Sequence, residues 1–381
     1  MYSLNSLFLL DPKITFLNHG SFGATPKPVF REYQRWQREL EIQPVEFLGR
    51  RATKLLAESR VALGRYLGTS ADNLVYTQNV TVSMNIVARS LYLEAGDEVL
   101  ASNHEYGAMD RMWRFLSRKR GFAYLNQPVE LTSHADFVES FWRGVTPRTK
   151  VIFLSHITSP TALIFPIREI LQRAREKNII TIIDGAHVPG QIALNLDELG
   201  ADFYGGNLHK WLCAPKGVGF LYARPEMQNL VEPLVVSWGY EPEASVSSFL
   251  DLNEWNGTRD ISAALSVPAA IEFQAAHNWE RVREACHQLA RNAQRRICEM
   301  TGLPPLHSMD DVWSRQMVAA PLPASVDVSQ LKSRLYDEFK IEVPVHEWDG
   351  NKLIRISVQG YNVEKDVDAL CRALARLLRL C

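Results

Sequence analysis

At 381 residues the chain is long enough to bury a large core and to divide into two lobes. Its 42 Lys and Arg against 43 Asp and Glu leave a net charge of −1, so no global field favours nucleic acid or an anionic membrane, and a small-molecule partner is expected. The five cysteines (Cys213, Cys286, Cys298, Cys371 and Cys381) are odd in number and nowhere spaced C-x-x-C, which argues against a disulfide framework and a structural metal site and fits a reducing compartment.

The opening MYSLNSLFLLDP has a short apolar run but no basic lead and no small-residue cleavage site. No later apolar run approaches the ~18 to 20 residues that span a bilayer, so a cytoplasmic protein is expected. From residue 53 two patterns alternate: amphipathic TKLLAESRVALGRYL, strand-like NLVYT, amphipathic VSMNIVARSLYL, strand-like EVLAS, then helical GAMDRMWRFLSRKR. After AYL come helical ADFVESFWRG, the strand KVIFLSH, the helix IREILQRAREKN and the strand IITIID. That order predicts an α/β fold with a mainly parallel sheet between helices. Residues 261–300 read as one long helical region with Pro268 near its start and Gly302-Leu303-Pro304-Pro305 after its end. QMVAAPL, helical SQLKSRLYDEF, IEVPVHE, LIRISVQ and the closing helix VEKDVDALCRALARLLRL then make a smaller α+β unit. There is no internal repeat and no low-complexity segment.

Chemistry is suggested first by Lys210, set among turn-forming and apolar residues in DFYGGNLHKWLCAPKGVGFLYA, and by Asp184, which closes the apolar run ITIID. An aspartate ending a buried strand and a lysine on a later loop are what pyridoxal phosphate needs: an amine to form a Schiff base with the aldehyde, and a carboxylate to keep the pyridine nitrogen protonated. Asn79, Val80 and Thr81 fall at a strand-to-helix junction whose free N–H groups suit a phosphate, although an ordinary helix cap uses the same residues. Asn207 and His209 flank the lysine. Asn256-Gly257-Thr258-Arg259 reads either as a plain turn or as a hydroxyl and amide offered to an anion. Arg355 lies inside the strand pattern LIRISVQ, where a buried guanidinium needs a carboxylate, either the protein's own or a substrate's.

FLNHGSFGATP (16–26), TQNVT (77–81), NHEYGAMDRMW (103–113), SHITSPTALIFPI (155–167), DGAHVPGQ (184–191), NLHKWLCAPKGVGFLY (207–222), NGTRD (256–260) and LIRISVQGYN (353–362) are spread over nearly the whole chain. Together they resemble the class V aminotransferase branch of fold type I pyridoxal phosphate enzymes, most of all the isopenicillin N epimerase-like members. The resemblance implies an aspartate aminotransferase-like fold, with a large domain (18–262) around a mainly parallel seven-stranded sheet. A small domain is formed by 1–17 together with 263–381. It implies Lys210 as the Schiff-base lysine, Asp184 as partner of the pyridine nitrogen, and His187 with Thr158 or Ser159 near the phenolic oxygen. Asn79, Thr81, Asn207, His209 and the Val80 amide would hold the phosphate, joined by Thr258 from a neighbouring subunit, hence a homodimer. Tyr106, with His104 as a nearby competitor, would stack on the cofactor face opposite the lysine and serve as a second acid. Arg355 would clamp the α-carboxylate of an amino-acid substrate, with Asn18 and His19 approaching from the N-terminal segment. The branch contains epimerases, lyases and transaminases. A desulfurase is disfavoured, because no cysteine stands between Cys298 and Cys371 to take sulfur on a mobile loop.

Overall fold

The sheet follows from strands that are apolar at almost every position, as expected where both faces are covered. A computed structural model describes residues 4–241, 243, 248–307 and 312–378. Its seven-stranded sheet is built from β1 (Leu74–Thr77), β2 (Glu98–Ser102), β3 (Ala123–Gln127), β4 (Thr149–Ser155), β5 (Ile180–Asp184), β6 (Phe203–Asn207) and β7 (Gly219–Ala223). The spatial order is β1-β7-β6-β5-β4-β2-β3, and only β7 runs against its neighbours.

Alternation within each strand separates two cores. Ile152, Leu154, Ile183, Tyr204 and Phe220 point to one face. There they meet α1 (Lys27–Ile42), α2 (Ala52–Leu67), and, further along the chain, the helices His134–Trp142 and Ile167–Glu176. Val151, Phe153, Ile182, Phe203 and Leu221 point to the other, against α3 (Val80–Ser90) and α4 (Gly107–Arg120). Each such side chain contributes roughly 1.5–3 kcal/mol of burial, so a one-residue slip of register would turn both faces out at once.

A third core lies in a smaller layer of β8 (Met317–Leu322), β9 (Val345–Trp348) and β10 (Asn351–Ser357), antiparallel in the order β9-β10-β8. It packs with the helices Trp279–Thr301, Val328–Phe339 and Glu364–Leu378 and takes Leu17 from the N-terminal segment.

Three features depart from the sequence expectation. The long helical region is three helices, Ser262–Leu265, Val267–Ala276 and Trp279–Thr301, with breaks at Ser266, just before Pro268 in the first turn of the second helix, and at Asn278, whose φ of 47° is left-handed. IEVPVHE is two short strands, because Pro344 lacks a donor: Ile341–Glu342 pairs with Thr15–Phe16 while β9 joins the small sheet. The lysine segment, read as a loop among turn-forming and apolar residues, also carries two antiparallel strands, so that loop is the connection of the β6/β7 hairpin.

Candidate active site

The C-terminal ends of the parallel strands share one edge, the usual ligand edge of an open α/β sheet. Ser155 of β4, Asp184 of β5 and Gly205 of β6 are in register there, with Asn207 closing β6. Above this edge lies a cavity of about 210 Å3. Asn79, Val80, Thr81, Tyr106, Ser159, Asp184, His187, Asn207, His209 and Lys210 all line it.

Lys210 is presented by a tight turn. Its carbonyl accepts from the Cys213 amide at 3.0 Å and from His19 Nε2 at 3.0 Å, with Cys213 in the left-handed region at φ 64°. Gly23, at φ 69°, presses against the His209–Lys210 backbone so closely that a Cβ there would stand 2.0 Å from the His209 carbonyl oxygen, so only glycine fits. The Lys210 amine lies 3.2 Å from His187 Nε2. Burial, reinforced by Arg355 and opposed by Asp184, lowers the amine to about 7, so about half of it is the free nucleophile at neutral pH.

Asp184 is buried, and Oδ1 accepts the Ala186 amide at 2.8 Å; Oδ2 has no donor among the described residues. Burial raises its carboxyl, while the Ala186 amide and Lys210 hold it down. Behind it stands Glu105, which the sequence reading passed over. Its Oε1 meets the Ser102 hydroxyl at 2.5 Å, and its Oε2 meets the Ser155 hydroxyl at 2.6 Å and the Ser155 amide at 2.9 Å. Burial, with Asp184 adding to it against those hydrogen bonds, pushes Glu105 up to about 8, so it is mainly neutral at pH 7.

At the helix end of the cavity, Asn79 caps α3 by accepting the Val82 amide at 3.1 Å. The Val80 amide is donated to Asn207 Oδ1 at 2.9 Å instead of facing the cavity, so Asn207 fastens β6 to α3. The amide and hydroxyl of Thr81 have no protein partner among the described residues, the free first turn expected of a helix. His209 donates Nδ1–H to the Val218 carbonyl at 3.1 Å, which directs Nε2 away from that contact, and burial lowers the imidazole to about 4.

Arg355 of β10 stands behind Ser21 and Ser159 of the cavity lining; it is 6% exposed and makes no ion pair among the described residues. Its Nη1 donates to the Ser159 carbonyl at 2.6 Å and hydroxyl at 3.0 Å, its Nη2 to the Ser21 hydroxyl at 3.2 Å, and its Nε has no partner. Burial lowers its pKa to about 10, so it is charged at neutral pH.

Other predicted residues fall behind the walls. Asn18 accepts from the Ser21 hydroxyl at 2.6 Å and donates to Glu342 at 2.9 Å, so it braces Ser21. Both His19 nitrogens are engaged, Nε2 on Lys210 and Nδ1 on the Tyr361 hydroxyl at 2.9 Å. Thr158 is buried on Thr161 and the Leu163 amide, leaving Ser159 as the one of that pair on the cavity. His104 is buried against Trp348 and bonded to Thr161, whereas Tyr106 is 45% exposed at the cavity mouth. Thr258 is exposed on a separate cleft with Leu48, Trp238 and Trp255. Cys213 is fully buried and its thiol is pushed up to about 12, which suits packing and not nucleophilic work. Ser21 and Glu105 were missed, although both lie in quoted motifs, FLNHGSFGATP and NHEYGAMDRMW; two polar residues beside a predicted site residue were the available signal.

The sequence model for aminotransferase class V matches residues 23–370. The chain belongs to the class V aminotransferase family. It is therefore an enzyme, and pyridoxal phosphate is its cofactor. It is 37% identical to isopenicillin N epimerase from Amycolatopsis lactamdurans, over 97% of this chain and 96% of the relative. A probable L-cysteine desulfhydrase of Arabidopsis thaliana is 28% identical over 97% and 84%. In fold the chain is similar to a cysteine desulfurase from Escherichia coli, with a TM-score of 0.83 at 21% identity, covering 99% of this chain and 98% of that one.

The residues present fit this cofactor. A free carboxylate oxygen, a buried amine lowered to about 7 and an open helix first turn stand around one cavity, each the complement of one part of the group. Among the described residues no cluster of three or more His, Cys, Asp or Glu could hold a metal ion, and no helix is long and apolar enough to cross a membrane.

Proposed function

We propose that the protein acts at the α- or β-carbon of an amino acid or a peptide-like derivative, in the manner of isopenicillin N epimerase. The observation that carries this reading is Arg355: a buried guanidinium with an unpartnered Nε and no carboxylate partner among the described residues, beside the cavity that holds Lys210. An amino-acid carboxylate supplies the missing partner. When bound, pyridoxal phosphate supplies an aldehyde for amines and a ring that accepts the electron pair left on the substrate carbon.

The rest is the work of side chains. Arg355, held in place by Ser21 and Ser159, would fix the carboxylate and so orient the α-carbon. Asp184 keeps a proton on the ring nitrogen, and Glu105, neutral behind it, adds no competing charge. Thr81 and His209 would hold the phosphate end, with Asn79 and Asn207 keeping the first turn of α3 in place. Lys210 Nζ, neutral by burial, takes the α-proton. Tyr106 at the cavity mouth returns a proton from the other face, which gives inversion. Thr258, which lines a separate cleft of the chain, serves the site of a second copy, so the working unit is a cytoplasmic homodimer.

The similarity to a cysteine desulfhydrase supports a second reading, β-elimination from a cysteine-derived substrate; transamination is a third outcome of the same proton removal. An amino-acid panel followed for α-deuterium exchange, chirality and pyruvate release separates them. Exchange with inversion is expected. Pyruvate release without inversion selects the lyase, and absence of α-exchange with every compound overturns the reading.

A further inference from the structure

We propose that Trp211 is a positioning residue that fixes the tautomer of His187 and thereby holds Lys210 as a free amine. The inference rests on Lys210 being the cofactor lysine. Trp211 is fully buried, and its indole Nε1 lies 3.2 Å from His187 Nδ1. An indole N–H donates and cannot accept, so Nδ1 must be the bare nitrogen. A neutral imidazole then carries its proton on Nε2, the atom 3.2 Å from Lys210 Nζ. An ammonium there would set N–H against N–H; a neutral amine accepts the bond.

Neither partner is free to turn away. The Trp211 carbonyl is held by Gln274 Nε2 at 2.8 Å and the His187 carbonyl by Gln191 Nε2 at 2.7 Å. Gly190, at φ 94°, lies against the Trp211–Leu212 backbone, where a Cβ would stand 2.3 Å from the Trp211 carbonyl. The loop after β5 and the lysine loop are thus locked together without room for a side chain between them. The charged and titratable groups facing the pair are Asp184 at the end of β5, Arg355 of β10, His209 on the lysine loop and His19 of the N-terminal segment. Burial, with Lys210 and Arg355 nearby, keeps His187 neutral, as the arrangement requires.

The tautomer is measurable in the apoprotein, independently of any reaction and of the lysine's role. Long-range 1H–15N correlation of histidine-labelled protein, with His187 assigned through His187→Gln, should show Nε2–H from about pH 6 to 8. An Nδ1–H tautomer in the wild type overturns the proposal, and this result stands whether or not a tryptophan variant folds. In Trp211→Phe, checked by circular dichroism, His187 can accept from an ammonium, so the pH midpoint of cofactor capture, read from the visible band, should rise by about one unit. In a His187→Gln background the same substitution should leave the midpoint unmoved. A folded Trp211→Phe with an unchanged midpoint, or a shift that persists without His187, contradicts the assignment. Loss of the band in Lys210→Ala tests the cofactor reading separately.

Discussion

The two walls of the cavity are built differently. The lysine wall belongs to one sheet: Asp184 ends β5, Asn207 ends β6, and Lys210 follows three residues later, all over strands covered on both faces. The arginine wall is gathered from distant segments: Ser21 near the N-terminus and Ser159 after β4 line the cavity, Arg355 of the small sheet is bonded to both from behind, and Asn18 ties Ser21 to Glu342. In the proposed function the groups assigned to the cofactor stand on the large sheet, whereas those assigned to the substrate are drawn from the N-terminal segment, the loop after β4 and the small sheet. Substitutions in the first wall should therefore strike the chemistry and the chromophore, and substitutions in the second should strike substrate binding while the chromophore persists.

The largest effect is expected from Lys210→Ala, which should abolish the visible band of the reconstituted protein and lower turnover by at least about 10³-fold. Asp184→Asn should retain cofactor but lower kcat by about 10²- to 10³-fold, since a preorganised charge is removed from a dry site. Arg355→Gln should keep the band and raise KM by about 10- to 100-fold, the worth of a charge-assisted pair. A loss of the band in Arg355→Gln, or an unchanged KM, would erase the distinction between the walls. Ser21→Ala, which removes one of the supports of Arg355, should raise KM a few-fold, about 1 kcal/mol, with kcat preserved.

The pH dependence sharpens the same contrast. Lys210 is lowered from the ordinary lysine value to about 7, so the neutral amine grows as pH rises through 7 and cofactor capture should rise with it and level off above. Arg355, lowered only to about 10, keeps its charge throughout that range. Substrate affinity measured on preformed holoenzyme should therefore carry no transition from the clamp near pH 7.

The lysine wall was legible in the sequence because its parts are local: an apolar strand ends in Asp184, and an apolar loop carries one lysine. The alternating pattern likewise gave the helices Ala52–Leu67 and Gly107–Arg120 and the parallel strands, since period and burial agree there. What the pattern hid depends on contacts far apart in the chain. Whether the Val80 amide faces a phosphate or is spent on Asn207 depends on a residue in another strand, and Arg355 read equally well as an internal ion pair until its surroundings were visible. Glu105 sits in a quoted motif, yet its neutrality arises from burial beside Asp184, which no local pattern encodes.

The central claim, that Lys210 is the covalent anchor of the site, is tested most directly by trapping. The purified protein is reconstituted with pyridoxal phosphate, reduced with borohydride and digested, and its peptides are sequenced by mass spectrometry. The phosphopyridoxyl group is expected on Lys210, in the peptide containing NLHKW; its appearance on another lysine, or on none, would contradict the account.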